Sequence, residues 1–96
     1  GGSEAALEVE KIVEQPTLDE EESIRSALFR LGDNSQRGGA AGRRITARDS
    51  LVGLGVKAVP YLAGALRDDN AFRRMMAADA LTRIGQTERR PGVYLE

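Results

Sequence analysis

All but Lys11 and Lys57 of the 14 basic residues in this chain are arginine, and four of them stand as the adjacent pairs Arg43-Arg44 and Arg73-Arg74, thirty positions apart. A guanidinium stays charged and presents a planar fork of donors, so arginine at fixed spacing suits a two-point grip on carboxylate or phosphate. Arg37 and Arg48 flank the first pair. Arg37, Arg43, Arg44, Arg48, Arg73 and Arg74 therefore form a candidate surface for an acidic peptide, a nucleic acid or another polyanion. A structural role competes with that one. Positive charge in the first turn of a helix opposes its dipole, so such a pair calls for a nearby acid. Asp33, Asp68 and Asp69 stand just before the two pairs, placed to clamp the end of one helix to the start of the next. Asp49 and Asp79 follow at matching places and read as helix-to-helix hydrogen-bond partners.

Other chemistries are closed by composition. The 96 residues include no Cys, His or Trp. That removes thiol nucleophiles, disulfides, zinc fingers and a Ser-His dyad, and leaves only carboxylates to hold a hard cation. No catalytic residue, metal ligand or cofactor is expected. The loop Arg37-Gly38-Gly39-Ala40-Ala41-Gly42-Arg43 leads into a helix start, a geometry that can cradle phosphate. It lacks the P-loop spacing and the following Lys-Ser/Thr, so its reading is a flexible connector. Aromatic anchors are few: Phe29, Tyr61, Phe72 and Tyr94. Tyr61 lies between Val59 and Leu62 and is the first candidate contact on a helix face.

The elements that must carry these groups follow from apolar spacing. Arg43 to Gly55 and Arg73 to Gly85 coincide at six of thirteen positions, which marks a stacked repeat. Helices are expected over 4–15, 18–31, 43–54, 57–68 and 71–84, with a glycine loop at 33–42 and a tail at 86–96. Thr17 and Glu20 form a capping box, and Gly32 is placed as a left-handed helix stop. Inward stripes are Ile24, Ala27, Leu28, Leu31; Ile45, Ala47, Leu51, Leu54; Val59, Leu62, Ala63, Leu66; and Phe72, Met76, Ala80, Leu81, Ile84. Pro60 is tolerated in a first turn, and Asn70 is an N-cap. Val59, Leu62, Ala63, Leu66 and Asp68 also match Ile24, Ala27, Leu28, Leu31 and Asp33 at an offset of 35. Residues 18–31 are then a second helix of a unit, and the arginine-paired segments are first helices.

Residues 1–22 hold eight carboxylates against Lys11 alone, whereas the net charge of the whole chain is −1. The acidic start has two readings: a helix whose Val9, Ile12 and Val13 cap the first apolar face, or an internal mimic of an anionic ligand that competes for the arginine surface. Gly1-Gly2-Ser3 reads as a cloning remnant, leaving 4–85 as one helical-repeat domain. No apolar run approaches the roughly 20 residues that span a bilayer, so a cytoplasmic protein without a membrane partner is expected.

The string Leu51-x-x-Leu54-Gly55, Ala58-Val59-Pro60-x-Leu62, Leu66-x-Asp68-Asp69, Arg73-Arg74, Ala77-Ala78-x-Ala80-Leu81 and Ile84-Gly85 resembles a HEAT-like repeat of the short, bacterial phycobilisome-lyase type. The resemblance implies an all-α, right-handed α-α superhelix of about five helices, with Asp68/Asp69 and Arg73/Arg74 tying one unit to the next. It excludes the iron-binding hydroxylases of that group, which need His. The expected function is a non-enzymatic protein-binding or scaffold module. Binding of nucleic acid or another polyanion through the arginines is the second expectation, and an accessory subunit or fragment of a lyase-like repeat protein the third.

Overall fold

The computed structural model describes residues 15–88, and all regular structure among them is helical. In chain order there are α1 (Leu18–Leu31), α2 (Ala40–Leu54), a 3-10 turn (Gly55–Ala58), α3 (Val59–Ala65) and α4 (Ala71–Glu88). The expected helix 4–15, the cloning remnant and most of the tail lie outside the described residues.

Local chemistry accounts for the boundaries. Glu20 N–H donates to Thr17 Oγ1 at 3.1 Å and Thr17 N–H to Glu20 Oε1 at 2.9 Å, so α1 opens on its capping box. Gly55 closes α2 at φ +63, a conformation that only glycine adopts without strain. Asn70 Oδ1 accepts from Arg73 N–H at 3.0 Å and caps α4.

Several expectations are corrected. Among the described residues there are three long helices and one of seven residues, not four helices of similar length. Residues 57–68 split, because the chain leaves Gly55 through a tight 3-10 turn and Pro60, without an N–H, begins the α-helical part afresh. Helix α2 starts at Ala40 rather than 43, since Gly39 at φ +87 turns the chain earlier. Helix α4 runs on to Glu88 instead of stopping at 84, because Gly85 keeps helical backbone. Residues 86–88 therefore belong to α4, not to the tail. Gly32 is not a left-handed stop; its φ is −93. Ile45, Ala63 and Leu66 are exposed rather than inward.

The core joins Ile24, Ala27 and Leu31 of α1, Ala47 and Leu51 of α2, Ala58, Leu62 and Ala65 around α3, and Ala77, Ala80 and Ile84 of α4. Six of these eleven are alanines, which let helix axes approach closely while leucine and isoleucine fill the remaining space. Arg48 of α2 pairs with Asp79 of α4, and Arg44 lies over the Phe72 ring 4.0 Å from its centroid. Those two contacts, taken in order along both helices, mean that α2 and α4 lie side by side and run the same way. Helix α1 packs on α2 and α4, and also touches α3. No helix among the described residues is long and apolar enough to cross a membrane.

Candidate functional site

The two arginine pairs are built alike. Arg43 Nε donates to Asp33 Oδ2 at 2.6 Å, and Arg73 Nη1 donates to Asp68 Oδ1 at 2.8 Å. The second member of each pair turns to the backbone: Arg44 Nη1 donates to the Asp33 carbonyl, and Arg74 Nη1 to the carbonyls of Asp68 at 2.7 Å and Asp69 at 3.0 Å. Each pair thus neutralises a carboxylate and satisfies carbonyls in the turn before its helix.

The remaining donors of the first arginines differ. Arg43 stays local, reaching the Gly38 carbonyl at 3.1 Å and Ser35 Oγ at 3.2 Å. Arg73 instead crosses to the end of α1, where Nε donates to the Leu28 carbonyl at 2.8 Å and Nη2 to the Phe29 carbonyl at 3.2 Å. Asn70 Nδ2 adds a bond to the Gly32 carbonyl at 2.8 Å. The start of α4 therefore serves as the C-terminal cap of α1. Gly32 is required for this approach: a Cβ there would lie 2.5 Å from Arg73 Nη2 and 2.9 Å from Asn70 Nδ2.

Arg48 is also structural. Its side chain is only 15% exposed, with Nη1 donating to Asp79 Oδ2 at 2.9 Å and Nη2 to Asp49 Oδ1 at 2.9 Å. Asp79 further accepts from Arg83 Nε at 3.0 Å, so it links α2 to α4. Asp49 accepts from its neighbour Arg48 and reaches α4 only through it. Asp69 contributes its carbonyl rather than a carboxylate bond to the seam.

These contacts shift the carboxylates in one direction. Arg43, with the Ser35 hydroxyl and N–H, holds Asp33 well below the usual carboxylate range. Asp68 is lowered by the Asn70 N–H and then by Arg73. Burial pushes Asp79 upward, but Arg83 and Arg48 outweigh it and leave it lowered. Glu20 is lowered by the Thr17 N–H and by Lys57, whose Nζ lies 3.1 Å from its Oε2 and ties the start of α1 to the 3-10 turn.

What the seam leaves open is a cleft of about 620 Å³ at the end of α1, lined by Phe29, Arg30, Asp33, Asn34, Arg37 and Arg43 among others. Phe29 is 78% exposed. Arg30 is exposed and bonded back to its own helix at Ser26, and the exposed Arg37 side chain makes no hydrogen bond to another described residue. A second cleft of about 400 Å³ shares Phe29 and runs over Leu28, Tyr61, Gly64 and Ala65. An aromatic ring thus stands between an arginine-lined hollow and one walled by apolar side chains together with Asp68 and Arg73. Among the described residues no group of three or more Asp or Glu side chains could hold a metal ion.

Of the arginines singled out by spacing, the structure gathers Arg37, Arg43 and Arg73 at the first cleft, while Arg44 and Arg74 lie in the turns and Arg48 in the α2–α4 contact. Tyr61 sits half-buried in the second cleft. Phe29 and Arg30 were not foreseen, although their place off the Ile24, Ala27, Leu28, Leu31 stripe already points them outward. Comparison with known proteins adds nothing to this geometry: no family model, curated protein or solved structure matches the chain.

Proposed function

We propose that this chain is a non-catalytic protein-interaction module built on HEAT-like units, with α2 and α4 as first helices and α1 and α3 as second helices of successive units. The repeated Arg-Asp clamp, Arg43 on Asp33 and Arg73 on Asp68, supports the repeat reading, since an ion pair ties the first Arg of each pair to an Asp in the turn before its helix. The observation that carries the functional reading is the exposed Phe29 between an arginine-lined cleft and one walled by Leu28, Tyr61, Asp68 and Arg73, with Arg30 and Arg37 turned to solvent. An aromatic ring beside arginine is the composition favoured at protein contacts. Five of the arginines that a polyanion would need, Arg43, Arg44, Arg48, Arg73 and Arg74, donate instead to carboxylates and carbonyls of the chain itself.

A photo-reactive phenylalanine analogue at position 29, in protein expressed in its source cell, tests the reading. Discrete protein adducts that vanish with Arg37→Glu are the expected result. Salt-sensitive retention of unrelated duplex DNA, undiminished by Phe29→Ala, would overturn it in favour of a polyanion surface.

A further inference from the structure

Phe29 separates two hollows that ask for different groups. The first, of about 620 Å³, has four arginines and one aspartate in its wall. Arg43 is paired with that aspartate, Asp33, at 2.6 Å, and Arg73 is paired with Asp68 at 2.8 Å, so these charges are answered within the fold. Arg30 and Arg37 are not. Both are exposed, Arg30 is held only by Ser26 of its own helix, and neither pairs with a carboxylate among the described residues. The hollow therefore keeps a surplus of two positive charges beside an exposed ring, and a carboxylate that enters it gains a charge-assisted hydrogen bond at either guanidinium.

The second hollow, of about 400 Å³, has no charge to spare. Its ionic groups, Asp68 and Arg73, are bonded to each other, and Arg73 also donates to the Leu28 and Phe29 carbonyls. The rest of its wall is Leu28 and Tyr61, both half-buried, with Gly64 and Ala65 of α3. A Cβ at Gly64 would meet open space, so the chain leaves that part of the hollow empty of its own side chains. An apolar side chain seated there leaves water without stranding a polar partner. An occupant that suits both hollows thus carries an apolar group and, past the Phe29 ring, carboxylates. A nucleic acid suits only the first: Arg30 and Arg37 would neutralise two phosphates, and the second hollow holds no cation that lacks a partner.

We propose that the partner of this surface is an acidic protein segment with one apolar anchor, the anchor seated over Gly64 and Ala65 and its carboxylates on Arg30 and Arg37 across Phe29. This rests on the interaction reading above and names the chemistry of what that surface holds.

Random peptides displayed on phage and selected on the full chain test the proposal, because the selection fixes no answer in advance. Peptides rich in Asp and Glu around an apolar residue are the expected result. Synthetic copies of them should lose about two- to five-fold in affinity with Arg30→Gln and again with Arg37→Gln, the effect of one exposed ion pair each, and should weaken as salt rises. Gly64→Leu should fill the second hollow and reduce the affinity about ten-fold or more at an unchanged melting midpoint. Selection on a chain carrying both Arg30→Glu and Arg37→Glu should turn to peptides rich in Lys and Arg. Peptides whose binding needs Phe29 but that show no acidic enrichment, or that are indifferent to both arginines, overturn the proposal and leave the interaction reading intact. A selection that yields no Phe29-dependent peptide overturns it too, and the interaction reading falls with it only if the photo-reactive analogue at position 29 also gives no protein adducts. Tighter retention of a single-stranded thymidine oligonucleotide than of any acidic peptide assigns the surface to nucleic acid, and self-association that Arg37→Glu abolishes assigns it to a second copy of the chain; either result overturns the proposal.

Discussion

Leu31 and Leu66 occupy matching places 35 residues apart, yet Leu31 is 0% exposed and Leu66 is 42% exposed. The difference has a visible cause. Helix α4 closes over the end of α1 through Arg73 and Asn70, and no described element does the same for α3. Truncating the two leucines to alanine should therefore have unequal costs. Leu31→Ala empties a fully enclosed site, which costs about 3–5 kcal/mol in transfer and cavity energy. Leu66→Ala removes a side chain already half in water and leaves no closed cavity, so about 1 kcal/mol is expected. A domain of this size has a total stability of about 5–10 kcal/mol, so the first change consumes much of it. At about 4–8 °C per kcal/mol, the melting midpoint should fall by about 12 °C or more for Leu31→Ala and by about 5 °C for Leu66→Ala. Thermal and urea unfolding followed by far-ultraviolet circular dichroism measures both. Equal losses at the two positions would refute the reasoning, because they would mean that Leu66 is enclosed as Leu31 is.

Glycine offers a second contrast. Gly32→Ala should lower the midpoint although its φ is negative, because the new methyl group displaces Arg73 and Asn70, whereas Gly85→Ala, in open space within α4, should stabilise by about 0.5–1 kcal/mol; a gain at both sites would sink the account of the seam. Arg73→Ala should lower the melting midpoint more than Arg43→Ala, since Arg73 joins elements 44 and 45 residues apart while the Arg43 bonds span no more than ten, and a reversed order in the same assay would count against that reading. Stability should also depend on acid. Asp33, Asp68, Asp79 and Glu20 all bind protons less readily in the fold than in the unfolded chain, so their contribution is complete above the ordinary carboxylate pKa of about 4 and is lost as the pH falls through their lowered values. The midpoint should be flat from about pH 7 to 5 and drop below about pH 4, and a midpoint that held steady down to about pH 3 would contradict it.

Much of the fold was readable in the sequence where a local signal and a tertiary one agreed. The Thr17-Glu20 box, the Ile24, Ala27, Leu31 stripe, the stop at Gly55 and the Asn70 cap each rest on short-range chemistry that folding leaves in place. What failed was decided by distant neighbours. Ile45, Ala63 and Leu66 keep helical spacing, but whether such a position is buried depends on a helix arriving from elsewhere in the chain. Gly32 reads from its own backbone freedom as a helix stop, while its use lies in the room it leaves for Arg73, 41 positions later. The clefts beside Phe29 were unreadable for the same reason, being spaces between three elements rather than a property of any one segment.

The arginine pairs show why spacing alone leaves two readings open. Periodic charge is equally compatible with a surface that binds and a seam that holds, because both need guanidinium groups at the pitch of the repeat. Their partners separate the two. Arg43 and Arg73 pair with Asp33 and Asp68, Arg44 and Arg74 occupy turn carbonyls, and Arg48 is largely covered between helices. Replacing any of these five should alter stability first, so a loss of binding in such variants would be uninterpretable without a melting curve. Arg37 and Phe29 carry no such duty: one has no side-chain bond to a described residue, and the other stands outside the core. Binding that changes with Arg37→Glu or Phe29→Ala at constant melting midpoint is therefore the observation that separates function from fold in this chain.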